Sequence, residues 1–256
     1  MEDKQASTLI KLSASSTKTY DSCARKYRYT YIDKLPKKEW DHLKLGTFCH
    51  NVLEQFHEEW KNDKNLELRP LMSRSFANQR HLASLDPKTK LADEQLTEAK
   101  GMLQDYLYSM ERNGMPNVLG VEDGFEMVVG NKYVLRGFLD RLDVDKDGLF
   151  HIVDYKTTKN EKYLDSFQLL VYGLALKQKY PDLKRFRGSY VLLRKGSKML
   201  TNEYTLNDIL GCEKKIIEYG TAIENEKKWE KTITRLCDWC DFKDVCLGNV
   251  NDTWIK

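Results

Sequence analysis

The sequence has no run near the ~18 consecutive apolar residues of a membrane-spanning helix. Its first residues also lack the basic start, apolar stretch and small-residue cleavage site of a secretory leader. These absences lead us to expect a soluble, intracellular (cytoplasmic) protein with no membrane partner. One-sided charge is missing too: 42 Lys and Arg stand against 39 Asp and Glu, for a net charge of +3. That balance permits a nucleic-acid partner without demanding one, so any surface for a polyanion must come from local clustering. There is no internal repeat or low-complexity tract, and with 41% hydrophobic and 11% aromatic residues disorder cannot dominate. The six cysteines are poor disulfide candidates in a reducing compartment, and their grouping points instead to metal or cluster ligation.

A chain of 256 residues can bury one substantial core, and we expect one domain over residues 1–256 with an insertion. Ser13 to Ser16 supply helix caps, after which Tyr20, Cys23, Ala24, Tyr27 and Tyr31 recur at helical spacing up to Pro36. Leu45, Cys49, Val52, Phe56 and Trp60 form the apolar stripe of a second helix over about 42–62, with His50 beside it. Residues 63–118 are polar, hold helical patches near 71–83 and 92–113, and are broken by Pro70, Pro87 and Pro116, which predicts a helical insertion. Strand-like runs follow at 125–129, 133–144 and 149–156, with turns at Gly130-Asn131 and Asp145 to Gly148, as in an antiparallel meander. Next come a helix over about 162–179 ended by Pro181, a strand over 187–193 with a short successor, and a helix over 206–228.

The chemistry concentrates in the meander. Asp140 ends one strand, and Asp154-Tyr155-Lys156 lies on the next. Side chains alternate along a strand, so Asp154 and Lys156 share a face while Tyr155 points away, and the hairpin brings Asp140 alongside. Two carboxylates held together repel unless a cation sits between them, and hard oxygen ligands select Mg²⁺ or Mn²⁺. A neighbouring ammonium can hold an attacking water and offset developing negative charge, which is what phosphodiester hydrolysis requires. A lone Asp-x-Lys is usually a solvated surface pair, but this one ends the apolar run Phe150 to Val153, so its charges emerge from a strand that reads as buried. Late in the chain, Cys237, Cys240 and Cys246 form C-x2-C-x5-C, three soft ligands in need of a fourth. Tetrahedral zinc and a cubane iron-sulfur cluster both use four cysteines, so the spacing does not separate them.

Taken in order, Leu12-Ser13-Ala14-Ser15 with Cys23, Gly46-Thr47-Phe48-Cys49-His50, Gly137-Phe138-Leu139-Asp140-Arg141, Ile152-Val153-Asp154-Tyr155-Lys156-Thr157, Gln168 with Tyr172, and the late cysteines resemble the RecB-type branch of the PD-(D/E)XK nuclease superfamily. The match departs in having Leu139 where the superfamily's name has proline, and Asp154 where many relatives carry glutamate. The resemblance implies an α/β, restriction-endonuclease-like core, with a small mixed sheet flanked by helices and a cysteine-ligated cluster joining the termini. It implies that His50, Asp140, Asp154 and the main-chain carbonyl of Tyr155 bind Mg²⁺ or Mn²⁺, that Lys156 positions the nucleophile, and that Gln168 and Tyr172 border the site. It also implies a 4Fe-4S cluster on Cys23, Cys237, Cys240 and Cys246, with residues 237–256 as the cluster-binding tail.

The expected activity is metal-dependent hydrolysis of DNA, acting from an end, in recombination, repair or phage DNA processing. A helicase, recombination or adaptation protein is the expected partner. One alternative is a CRISPR-adaptation nuclease that trims DNA before integration, against which the long 63–118 segment counts. Another, of a different class, is a non-catalytic DNA-binding protein stabilised by zinc. The clusters Arg25-Lys26-x-Arg28, Lys184-Arg185-x-Arg187 and Arg194-Lys195-x-x-Lys198 could follow phosphates, with Tyr27, Tyr29 and Phe186 interleaved for stacking. Cys49 is expected in the core. His42, His57, His81 and His151 carry no comparable signal.

Overall fold

In a computed structural model that describes residues 9–38 and 40–248, the elements in chain order are β1 (Ile10–Leu12), α1 (Ala14–Ser22), α2 (Ala24–Tyr27), α3 (Asp41–Asn62), α4 (Leu68–Ser84), α5 (Asp93–Asn113), β2 (Val118–Val129), β3 (Tyr133–Val144), β4 (Phe150–Lys156), α6 (Phe167–Lys179), β5 (Arg185–Leu192), β6 (Lys198–Thr205), α7 (Leu206–Asn225) and α8 (Lys243–Leu247). A π-helical turn, Arg28–Ile32, follows α2. No helix among the described residues is long and apolar enough to cross a membrane.

The chain divides into two compact units. One comprises Met1–Lys38, Glu126–Arg136 and Glu213–Lys256, the other Glu39–Phe125 and Gly137–Cys212. In the first, β1 runs parallel to the start of β3, Ile10 opposite Tyr133 and Leu12 opposite Leu135. Ser13 caps α1 through a reciprocal box with Ser16, each backbone N–H donating to the other's hydroxyl. The helical spacing read through Cys23 is broken there: Cys23 is extended, with φ −166° and ψ 109°, so one expected helix becomes two. Tyr27 stacks on Trp229 with centroids 5.9 Å apart, and Tyr29 meets Phe242 edge-on at 5.5 Å.

The second unit is built on a mixed sheet in the order β3-β4-β5-β6. The β3/β4 and β5/β6 pairs are antiparallel, and β4/β5 is parallel with Asp154 opposite Tyr190. Period two sorts its faces. Val153, Tyr155 and Val191 enter a core shared with Leu45, Val52 and Phe56 of α3, Leu71 of α4 and Leu103 and Tyr106 of α5. On the other face Gly173 lets α6 settle against Phe186, whose ring would be 2.3 Å from any Cβ there. The helices of the 63–118 segment are thus part of the core. Pro70 does not break α4, because it sits in the first turn, where its missing N–H is not needed. Strand β2 begins at Val118, inside the stretch read as helical insertion. The turn after it uses left-handed residues, Gly130 (φ 58°) and Asn131 (φ 56°), as a tight hairpin requires.

Candidate metal centre and active site

The β3/β4 ladder ends with Arg141 opposite Val153, and the site begins where it stops. Instead of a backbone carbonyl, the next free N–H on β4, that of Tyr155, donates to Asp140 Oδ2 at 2.8 Å. From the other side α3 delivers His50. Gly46 lets that helix lie close to the end of β4, since a Cβ there would meet Thr157 Oγ1 at 3.2 Å. The His50 Nε2–H donates to the Tyr155 carbonyl at 2.9 Å, and Nδ1 lies 3.4 Å from Asp140 Oδ2. Burial opposes a charge on His50, but Asp140 at hydrogen-bonding distance and Asp154 nearby outweigh it and raise its pKa.

Asp154 is 1% exposed. Lys156 Nζ stands 2.6 Å from its Oδ2 as an ion pair without hydrogen-bond alignment, and Oδ1 has no hydrogen-bond partner among the described residues. Burial pushes the pKa of Asp154 up, Lys156 pulls it down, and Asp140 adds to the rise. Lys156 is held by a relay of polar contacts: its ammonium donates to Gln168 Oε1 at 3.0 Å, and Gln168 Nε2 donates to the Tyr172 hydroxyl at 2.6 Å. It also lies 5.4 Å from the centre of the Tyr190 ring. The structure therefore gathers His50, Asp140, Asp154, the Tyr155 carbonyl, Lys156, Gln168 and Tyr172 in one place.

Glu122 was not anticipated. Ligand atoms of His50, Glu122 and Asp140 all lie within 4.8 Å of one another, and Glu122 is left-handed at φ 47° in the middle of β2. A non-glycine residue held there points to a bulge that re-aims its side chain. The sequence signal was the acid pair Glu122-Asp123 set between Gly120 and Gly124. Burial, then Asp140 and Glu54, raise the Glu122 carboxyl to about 7.

These residues suit a hard divalent cation. They offer carboxylate oxygens, a carbonyl and one imidazole, with a buried carboxylate oxygen lacking a partner.

A cation held by these residues would compete with protons. Acids with raised pKa stabilise the metal-free fold when protonated, an advantage lost as pH rises through about 7 for Glu122. The metal-free melting temperature should thus fall between pH 6 and pH 8, and added Mn²⁺ should reverse the loss. By calorimetry, Mn²⁺ affinity should rise about tenfold per pH unit for each proton displaced. A Glu122→Gln variant should bind more weakly and with a flatter pH dependence; an unchanged profile would remove Glu122 from the site.

The other sequence candidates separate. In the first unit Cys23, Cys237, Cys240 and Cys246 line one small cavity. The Thr232 N–H donates to Cys23 Sγ and the Thr234 N–H to Cys237 Sγ, each at 3.5 Å. Cys49 is fully buried, and burial pushes its thiol up to about 12. The basic clusters are largely engaged in ion pairs. Arg28 pairs with Asp33, Arg187 with Glu203, Arg194 with Glu98, and Lys195 and Lys198 with Glu161. Tyr27, Tyr29 and Phe186 are buried at 4%, 1% and 0% exposure, so they cannot stack on bases as the sequence suggested.

Glu122 of β2, Asp140 of β3, Asp154 and Lys156 of β4 and His50 of α3 thus converge where the β3/β4 ladder stops, an arrangement suited to holding a cation beside an ammonium. The chain belongs to the PD-(D/E)XK nuclease superfamily, whose sequence profile matches residues 11–247; members of that superfamily generally use divalent metals. It is 27% identical over 202 residues to an ATP-dependent helicase/deoxyribonuclease subunit of Streptococcus pyogenes serotype M1, and to its counterpart in serotype M49 strain NZ131. Each match covers 72% of this chain and 18% of the relative, so the chain spans under a fifth of the length of these relatives. A Eubacterium rectale crystal structure, of a protein to which exonuclease activity is provisionally ascribed, shares the fold. The TM-score is 0.55 at 13% identity, over 98% of this chain and 93% of that one.

Proposed function

We propose that the protein is an Mg²⁺- or Mn²⁺-dependent deoxyribonuclease that degrades DNA from an end in recombination, repair or phage DNA processing. The observation that carries this reading is the juxtaposition of Asp154, half of whose buried carboxylate is unpartnered, with the Lys156 ammonium. His50, Glu122, Asp140, Asp154 and the Tyr155 carbonyl would hold the cation. Once bound, it supplies Lewis-acid polarisation of the phosphate and a lower pKa for water. Lys156, steadied by Gln168 and Tyr172, orients the attacking water and offsets charge building on phosphorus. The buried sheet beneath keeps these groups fixed. With Mn²⁺, end-labelled linear DNA should be shortened progressively and a covalently closed circle spared. Equal attack on the circle would overturn the exonuclease reading, and no attack on either would overturn the nuclease.

We also infer a 4Fe-4S cluster on Cys23, Cys237, Cys240 and Cys246, for which the shared cavity and the N–H donors aimed at two of the sulfurs are the support. Its role is structural. Protein purified without oxygen should be brown, and Cys246→Ser should lose the iron and melt lower; a colourless protein with stoichiometric zinc would contradict the cluster. Similarity to a protein named for helicase and deoxyribonuclease activity supports a helicase as partner.

A further inference from the structure

We propose that Phe138 is a stacking platform that seats one unpaired nucleobase of the DNA strand beside the metal centre; the inference rests on the nuclease reading above. Phe138 is 63% exposed. A single exposed phenylalanine is ordinary, but this one has a built seat. Its ring lies across Gly124 of β2, where a Cβ would be 3.0 Å from Cε1 and 3.3 Å from Cδ1. A Cβ there would push the ring aside, so the glycine lets the ring approach the strand closely while most of it stays exposed.

The seat is tied to the acids. Phe138 is two residues from Asp140 on β3, and Gly124 is two residues from Glu122 on β2. On β3, residues two apart share a face and stand ~6.6–6.8 Å apart. The ring is therefore one side-chain step from Asp140, whose carboxylate lies within 4.8 Å of that of the left-handed Glu122. The neighbouring rung repeats the device on the buried side: Gly137 faces Phe125, at 2.8 Å from a Cβ there, and Phe125 packs edge-on against Tyr172 with centroids 6.2 Å apart. Phe138 thus rests against Gly124 and stays exposed, two residues along β3 from the carboxylate that would face a phosphate.

Every base offers a π-face, so a ring in this position grips a nucleotide whatever its sequence. A base inside a duplex is already stacked on both sides, so the ring selects an unpaired strand or a frayed end. The test measures binding of fluorescein-labelled single-stranded DNA in a Lys156→Ala background, which prevents cleavage. Phe138→Ala should weaken binding about tenfold, as expected for the loss of one base–aromatic stack, with an unchanged melting temperature. Phe138→Trp should restore it. An abasic nucleotide moved along the strand should cause the same loss at one position only, and at that position add nothing to Phe138→Ala. Equal binding by the Phe138→Ala and Phe138 proteins, or losses that multiply at every abasic position, would overturn the stacking role while leaving the nuclease intact. Failure of the Phe138 protein to bind any DNA would instead overturn the nuclease reading, and this inference with it.

Discussion

Replacing Lys156 with alanine is expected to slow Mn²⁺-supported DNA cleavage by about 10²- to 10³-fold or more, with folding and DNA binding preserved. The lysine's ammonium is paired with Asp154, at 2.6 Å, and it is aimed by Gln168 at 3.0 Å. Its loss removes a charge that matters most when negative charge builds on phosphorus, so the rate should suffer far more than affinity. The fold should survive, since burial already raises the Asp154 pKa and a proton can replace the ammonium. Arginine should not rescue, because a planar fork cannot stand in for a compact point charge between Asp154 and Gln168. Single-turnover cleavage beside a melting curve measures both halves. Cleavage within a few-fold of the unmodified protein would remove Lys156 from the chemistry.

The second large effect lies on the back of the sheet. Arg141 is 2% exposed, and its guanidinium grips Asp143 through Nε and Nη2 at 2.9 Å each. Its Nη1 donates to the Tyr155 hydroxyl at 2.7 Å, to His57 Nε2 at 3.0 Å and to the Tyr106 hydroxyl. Burial first, and then Arg141, drive the pKa of His57 well below its usual value, so the ring is neutral and accepts. Arg141→Met would leave Asp143 buried without its counter-charge and take the cationic donor from Tyr155, Tyr106 and His57, which would keep only the hydrogen bonds among themselves. Breaking such a pair costs roughly 3–5 kcal/mol, a large share of a typical stability of about 5–15 kcal/mol. At this chain length that is a melting point roughly 10 °C lower. Arg141→Met with Asp143→Leu should recover much of the loss, since no unpaired charge remains. A single variant that melts within about 2 °C of the unmodified protein would show that the network contributes little. Cleavage should fall too, because Tyr155 carries the network on its side chain and the site on its carbonyl.

How far the sequence announced these features depends on how local each one is. Asp140, Asp154 and Lys156 were legible because strand alternation and one hairpin suffice to bring them together. His50 needed the order of motifs around it, since its position depends on α3 crossing to the end of β4. Glu122 was hidden because Gly120, Gly124 and two acids mask β2 as a strand, and only a left-handed residue turns its carboxylate toward Asp140. The Arg141 network could not be read either. Asp140-Arg141-Leu142-Asp143 looks like an alternating solvent face, and the partners that make burial tolerable, His57 and Tyr106, come from distant helices. β1 is too short, at three residues, to leave a period. The break at Cys23 interrupts a helical repeat that the local sequence favours.

The most direct test of the metal centre is crystallographic: soak the protein in Mn²⁺ and record the anomalous signal. The arrangement predicts a peak within ~2.2 Å of oxygen or nitrogen atoms from His50, Asp140, Asp154 and the Tyr155 carbonyl, with Glu122 bound directly or through water. A well-ordered site with no peak there, or an ion bound only elsewhere, would contradict it.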